Sequence, residues 1–367
     1  MRSLQCVGLR HNRLLLRRQT KVRAQASGSS SKKMGCNLLV VSASDSPELS
    51  VLKQLPPTVN VVGIGKSLQD FAKLTDADWA SVDVLLNCGV GARAAKREDL
   101  AALWPKLTGL QWMHSSSAGL EHLLFPALVE GPVTLTNAKG VYSHSLAEYT
   151  LTACSWFAKD FPRLARAKAE ARWEPYDVEE LRGRTLGVIG FGDIGQACAR
   201  LARAFKMKVV GLRRRTQLTP EEAAENIADK LYSPDQLHEL MAVSDYVVMA
   251  TPHTPQTDKM VNAAALAAMK PTGVFINVGR GKCVDEGALV EVLAAGNIRG
   301  AALDVFATEP LPPDSPLWRL PNVLMSPHCA DRTKEFQYES LAFFVDNMGR
   351  YLAGQPLDNV CDKRAGY

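Results

Sequence analysis

The chain has 367 residues, enough for two domains with their own cores, and 46% hydrophobic with 22% charged residues is the balance of a water-soluble globular protein. No apolar run approaches the roughly 20 residues of a membrane span, so no membrane partner is expected. The formal charge of +5 comes from residues 1–26, which hold seven basic side chains (Arg2, Arg10, Arg13, Arg17, Arg18, Lys21, Arg23) and no acid; subtracting those seven leaves −2, which excludes a basic nucleic-acid-binding body. The leader, residues 1–33, lacks the long apolar segment of a secretory signal. Its arginines and the following GSSS suit an organelle transit peptide, with chloroplast the first choice and mitochondrion the second. Apolar runs at 37–42, 59–64, 82–87, 110–115 and 133–136 then read as strands of a parallel sheet, separated by helical or loop segments. A long helical pattern covers 143–172, with Ser145 and Glu148 as a capping box at its start and Pro162 dividing or kinking it. Six more strands are expected at 185–189, 208–212, 245–250, 273–278, 299–303 and 322–326, alternating with helices, and a last helix covers 333–352. A tail helix of this kind packs back on the first domain. The expected architecture is therefore α/β with two Rossmann-like domains. A doubly wound dinucleotide-binding domain spans 141–330, and a smaller flavodoxin-like substrate domain, from 35–140 and 331–367, is completed by the C-terminal helix. The eight cysteines are scattered without C-x-x-C or metal-like Cys/His spacing, so reduced thiols and no metal are expected.

The most informative stretch is 186–216, LGVIGFGDIGQACARLARAFKMKVVGLRRRT. Gly190, Gly192 and Gly195 form G-x-G-x-x-G directly after a strand and before a helix, the context in which this spacing signals dinucleotide binding. The first glycine permits the turn, the second lets the backbone approach a pyrophosphate, and the third lets helix and strand pack closely. Asp193 and Ile194 open the helix, whose free N–H groups face the anion. At the tip of the second strand an NAD site would carry an acid for the ribose hydroxyls. Here stand Arg213, Arg214 and Arg215, which suit a 2′-phosphate, so NADP(H) is preferred and NAD(H) possible.

Three further residues close three separate strands of the same sheet: Arg280 in INVGRG, Glu309 in LDVFATEP and His328 in LMSPHCA. Reduction of a 2-oxo acid needs a cation for the carboxylate, an acid for the developing alkoxide and a group that keeps that acid protonated and aimed. Arg280, His328 and Glu309 supply these in turn. Asp304, nearer its strand end, is positioned to contact the nicotinamide.

In its order of motifs, from the glycine fingerprint through INVGRG and LDVFATEP to SPH, the chain from 37 to 352 resembles the D-isomer-specific 2-hydroxyacid dehydrogenases, glyoxylate/hydroxypyruvate reductases in particular. The resemblance implies Arg280 as carboxylate binder, Glu309 as orienting acid and His328 as proton donor. It places cofactor contacts at Thr251, Pro252, Thr257, Val278, Gly279, Arg280, Asp304 and His328 as well. It also likens HSSSAGLEHL to the family's substrate loop, giving Ala118 and Gly119 the task of binding the substrate with Arg280. The implied reaction is hydride transfer between NADP(H) and a small 2-oxo or D-2-hydroxy acid, in a homodimer. A phosphoglycerate dehydrogenase-like enzyme and, in another class, a non-catalytic NAD(P)-sensing corepressor are the alternatives. The chain departs from the family pattern after the proton donor, where Asp331 and Arg332 stand in place of small residues, and this bears on substrate choice.

Overall fold

Short, continuously apolar strands that must be covered on both faces dictate the architecture. The structure is a computed structural model that describes residues 35–366; the basic leader lies outside the described residues. In the first sheet β1 (Cys36–Val41), β2 (Val59–Gly65), β3 (Val84–Asn87), β4 (Trp112–Ser115) and β5 (Thr134–Asn137) run parallel in the order β2-β1-β3-β4-β5. The short helices α1 (Asp76–Ser81), α2 (Arg97–Leu103) and α3 (Pro126–Glu130) connect them. This is the flavodoxin-like order, with a switch point between β1 and β3.

After α4 (Ser143–Ala158) and α5 (Phe161–Ala169) comes the second sheet: β6 (Thr185–Ile189), β7 (Lys208–Leu212), β8 (Lys230–Tyr232), β9 (Tyr246–Met249), β10 (Val274–Asn277), β11 (Gly300–Leu303) and β12 (Val323–Met325). It too is parallel, in the order β12-β11-β10-β9-β6-β7-β8, the doubly wound order with the switch point between β6 and β9. Its crossovers include α6 (Asp193–Ala204), α7 (Pro220–Ala224), α8 (Leu237–Val243), α9 (Ala263–Ala267) and α10 (Glu286–Ala294). The expected fold class is what the structure contains.

The last helix, α11 (Phe336–Leu352), buries Leu341, Phe344 and Met348 against Leu38, Val40, Leu86 and Trp112 of the first sheet. The rings of Phe344 and Trp112 lie 5.3 Å apart. Removing a phenylalanine of this kind from water contributes about 2–3 kcal/mol, and the burial of Leu341 and Met348 beside it adds to what holds the chain end on the first sheet. Helix α4 packs on α6, and small residues on α6 (Ala197, Cys198, Ala199, Ala202) leave room for Leu146, Leu151 and Phe157.

The 143–172 pattern is divided near Pro162 as expected: α4 stops at Ala158, Asp160 turns left-handed (φ 47°), and Pro162 sits in the first turn of α5, where its missing N–H costs nothing; α5 ends at Ala169. One local expectation is corrected. Ser145 does not cap, because the helix already begins at Ser143; its hydroxyl instead donates to Ala330 O at 2.6 Å. Strand β8 is an addition. Its three residues, Lys230, Leu231 and Tyr232, are too few to display a period, and pairing with β7 alone makes them a strand.

Candidate functional site

The carboxyl ends of both sheets open on one cleft of about 940 Å³, within the range of small-molecule and cofactor sites. Of the residues singled out in the sequence, Ala118, Gly119, Ile194, Val278, Arg280, Asp304, Glu309 and His328 line it.

His328 follows β12 with φ 50°, a left-handed backbone that is uncommon outside glycine and is stabilised here by its neighbours. Asp304, buried at the end of β11, does the holding. Its backbone carbonyl accepts from His328 N at 2.8 Å, and its Oδ1 accepts from Ser326 Oγ (2.6 Å), Cys329 N (2.9 Å) and Ala330 N (3.0 Å). The sequence placed Asp304 at the nicotinamide; in the structure this carboxylate oxygen fastens the loop that carries His328, while the residue also lines the cleft.

The imidazole Nδ1 of His328 lies 2.7 Å from Glu309 Oε2, and Glu309 Oε1 accepts from Phe306 N at 2.9 Å. The Glu309 hydrogen bond raises the His328 pKa above its ordinary value against the opposing effect of burial. On Glu309, burial pushes the carboxyl up, but the bonds from His328 and Phe306 outweigh it and hold it below the usual range. Both effects favour the charged forms, a carboxylate facing an imidazolium, and the geometry leaves Nε2 outside the Glu309 bond.

Arg280 sits between Gly279 and Gly281, and neither glycine can be replaced without collision. A Cβ on Gly279 would meet Thr251 O at 2.9 Å, and one on Gly281 would lie 1.8 Å from Phe306 C. The guanidinium donates from Nη1 to Gly279 O (2.8 Å) and from Nε to Glu121 Oε1 (3.0 Å), an acid on the loop after β4 that the sequence reading did not select. No local pattern marks Glu121, whose partner is 159 residues away. Burial pushes its carboxyl up, and the charge of Arg280 reverses the shift, so it stays ionised.

The fingerprint glycines divide as the motif requires. Gly190 adopts φ 93° and a Cβ there would meet Ala250 O at 2.8 Å; on Gly195 it would meet Gly190 O at 2.3 Å. A Cβ on Gly192, the N-cap of α6, would meet nothing within 4 Å. The open position is thus the one where a phosphate approaches the helix N-terminus. Asp193 begins α6 and pairs with Lys139 at 3.3 Å.

At the tip of β7 the three arginines differ. Arg213 donates from Nε to Arg215 O, from Nη1 to Glu222 Oε1, and from Nη2 to Gln217 O and Glu222 Oε2, at 2.6–2.9 Å. Four of its five N–H groups are therefore committed to the segment that runs from the tip of β7 into α7. Glu222 also accepts from Gln196 and Thr219 N, and the Arg213 bond holds its carboxyl down to about 2. Arg214 and Arg215 remain exposed. Arg213 is accordingly a strut between the tip of β7 and α7, while Arg214 and Arg215 face solvent, with Arg215 Nη2 4.0 Å from Glu222 Oε1.

The loop after β9 is closed by Thr257, whose hydroxyl accepts from Thr254 N (2.8 Å) and donates to Pro252 O (2.8 Å). Thr251 Oγ1 lies 3.7 Å from Cys283 Sγ. Thr257 thus ties the loop back on Pro252, and Thr251, Pro252 and Thr257 are not among the residues that line the cleft. Asp331 and Arg332 both line the cleft; burial and the charge of Asp304 raise the Asp331 pKa, and Arg332 is exposed.

Comparison with known proteins places these features among relatives. The family model described as D-isomer specific 2-hydroxyacid dehydrogenase, NAD binding domain, matches residues 151–330. The chain is 34% identical over 249 residues to glyoxylate/hydroxypyruvate reductase B of Pectobacterium carotovorum subsp. carotovorum, covering 66% of this chain and 76% of that one. It is 33% identical over 257 residues to D-3-phosphoglycerate dehydrogenase of Methanocaldococcus jannaschii, where the match covers 70% of this chain and 48% of the relative, so the chain spans about half of that longer protein. Among solved structures it resembles an NADPH-dependent glyoxylate/hydroxypyruvate reductase from Sinorhizobium meliloti in complex with NADP and sulfate, at 27% identity and a TM-score of 0.74, over 90% of this chain and 100% of that one.

Proposed function

This chain belongs to the D-isomer specific 2-hydroxyacid dehydrogenase family, and on that premise we propose that it reduces a small 2-oxo acid, glyoxylate or hydroxypyruvate, to the D-2-hydroxy acid with NADPH. The observation that carries the reading is the His328–Glu309 pair at 2.7 Å, which opens on the same cleft as Arg280.

The fit to a dinucleotide rests on the open position at Gly192 and the N-terminus of α6. Gly190, Gly192 and Gly195 would hold the pyrophosphate, Arg214 and Arg215 the 2′-phosphate, and Thr251, Pro252, Val278 and Gly279 the nicotinamide end. When bound, NADPH supplies the hydride. Arg280 takes the substrate carboxylate together with the backbone at Ala118 and Gly119. His328, kept protonated by Glu309, donates the Nε2 proton to the carbonyl oxygen as negative charge develops there. After the transfer Glu309 still faces the ring and favours its reprotonation from solvent.

Steady-state reduction of glyoxylate, hydroxypyruvate, pyruvate and 3-phosphohydroxypyruvate, each with NADPH and NADH, tests the proposal. Turnover of glyoxylate or hydroxypyruvate with NADPH is expected; silence towards every oxo acid favours a nucleotide-sensing role. Arg332 on the cleft wall supports a second reading, a substrate with a distal phosphate, as in the archaeal relative's name. Highest kcat/KM on 3-phosphohydroxypyruvate selects that reading.

The quaternary and cellular parts of the proposal have separate support. A homodimer is supported by apolar side chains exposed on and after α5, namely Phe161, Leu164 and the almost fully exposed Trp173; light scattering on a sizing column measures it. Chloroplast import is supported by the acid-free, arginine-rich composition of residues 1–33; a fluorescent fusion of that segment in plant cells checks it, with mitochondria the competing destination.

A further inference from the structure

A guanidinium on a loop serves a carboxylate only if something aims it. Arg280 is aimed from the other sheet. Its Nε donates to Glu121 Oε1 at 3.0 Å, while its Nη1 is tied to Gly279 O at 2.8 Å. Glu121 is itself fixed at the backbone by Arg97 of α2, whose Nη2 donates to Glu121 O and whose Nε donates to His122 O at 3.4 Å. A chain of contacts thus runs from α2 through the substrate loop to the tip of β10.

A second observation comes from Gly119. Its backbone is not left-handed, so conformational freedom does not explain the glycine. A Cβ there would lie 1.9 Å from Arg280 Nη2 and 2.8 Å from Glu121 Oε2. The glycine is needed because the ion pair lies directly on it.

We propose that Glu121 is a positioning residue of the site: it holds Arg280 across the cleft so that Nη2 sits over the Ala118–Gly119 backbone, and the substrate carboxylate is bound jointly by the two. The inference rests on the reading of the cleft as a 2-oxo acid site. It also runs against a simple charge argument, in which Glu121 only competes with substrate for the cation.

These views predict opposite signs. Glu121→Ala should raise KM for glyoxylate and hydroxypyruvate by about tenfold or more with kcat within about threefold, because misaimed binding is lost before chemistry is. The NADPH dissociation constant should stay unchanged, and Glu121→Gln, which keeps an acceptor for Nε, should recover most of the loss. In an Arg280→Lys background Glu121→Ala should add little, since its effect passes through the guanidinium. A KM that falls or stays constant in Glu121→Ala overturns the proposal, as does a fully additive effect in the Arg280→Lys background. Calorimetric titration of oxalate onto the NADPH-loaded full chain reads carboxylate binding without turnover. An inactive wild-type chain therefore sinks the reaction assigned above, whereas equal oxalate affinity in wild type and Glu121→Ala sinks this inference alone.

Discussion

The tips of β7 and β10 each carry an arginine paired with a glutamate, and the pairs do different work. Arg213 meets Glu222 nine residues along the chain, in the first turn of α7, both side chains nearly buried (13% and 10% exposed), with almost every donor used. Arg280 meets Glu121 across the two sheets, each side chain about one-third exposed, and its guanidinium reaches the cleft. A pair formed within one short stretch of chain fixes that stretch. A pair formed between domains can fix a site.

The sharpest break between them comes from removing each cation. Arg280→Ala should raise KM for the oxo acid on the order of a hundredfold while leaving the melting temperature close to wild type, read by kinetics beside thermal denaturation. His328→Ala belongs with it: kcat should fall about 10²- to 10⁴-fold with NADPH binding retained, and an unchanged kcat would remove this ring from the proton transfer.

Arg213→Ala should act chiefly on folding. It leaves Glu222 without its main partner, at a cost of about 2 kcal/mol, which lowers the melting temperature by several degrees. Arg213→Ala with Glu222→Ala should be more stable than Arg213→Ala alone; a double variant less stable than either single one would contradict the strut.

A smaller effect is expected beside that strut. Replacing Arg214 and Arg215 with alanine should weaken NADPH about tenfold and NADH hardly at all, measured by fluorescence titration. Equal weakening of both cofactors would leave the 2′-phosphate to other groups.

The mildest probe is pH. Because Glu309 raises the His328 pKa, the donor form persists above the ordinary histidine range, and kcat/KM for reduction should fall as pH rises through the raised value. Glu309→Gln should move that fall to lower pH. An unmoved limb would mean that another group titrates.

Much of the site was legible in sequence because its residues follow strands, and strands announce themselves by apolar runs. Arg280, Glu309 and His328 could be placed at strand ends before any contact was known. Gly190, Gly192 and Gly195 were legible because the turn and the close helix contact are local demands. Glu121 was not, since nothing within its own loop distinguishes it from a surface acid. Arg213 and Arg215 read alike along the chain; only the two close hydrogen bonds of Arg213 to Glu222, at 2.6–2.7 Å against a 4.0 Å approach by Arg215, separate a strut from an exposed side chain.

What the sequence determined by itself was therefore the set of local demands: two parallel sheets, the dinucleotide turn and the types of residue at the strand ends. Tertiary structure decided which charges face each other. Ion pairs depend on distances between side chains far apart in the chain, and those distances exist only after burial of the apolar faces has set the two sheets on one cleft.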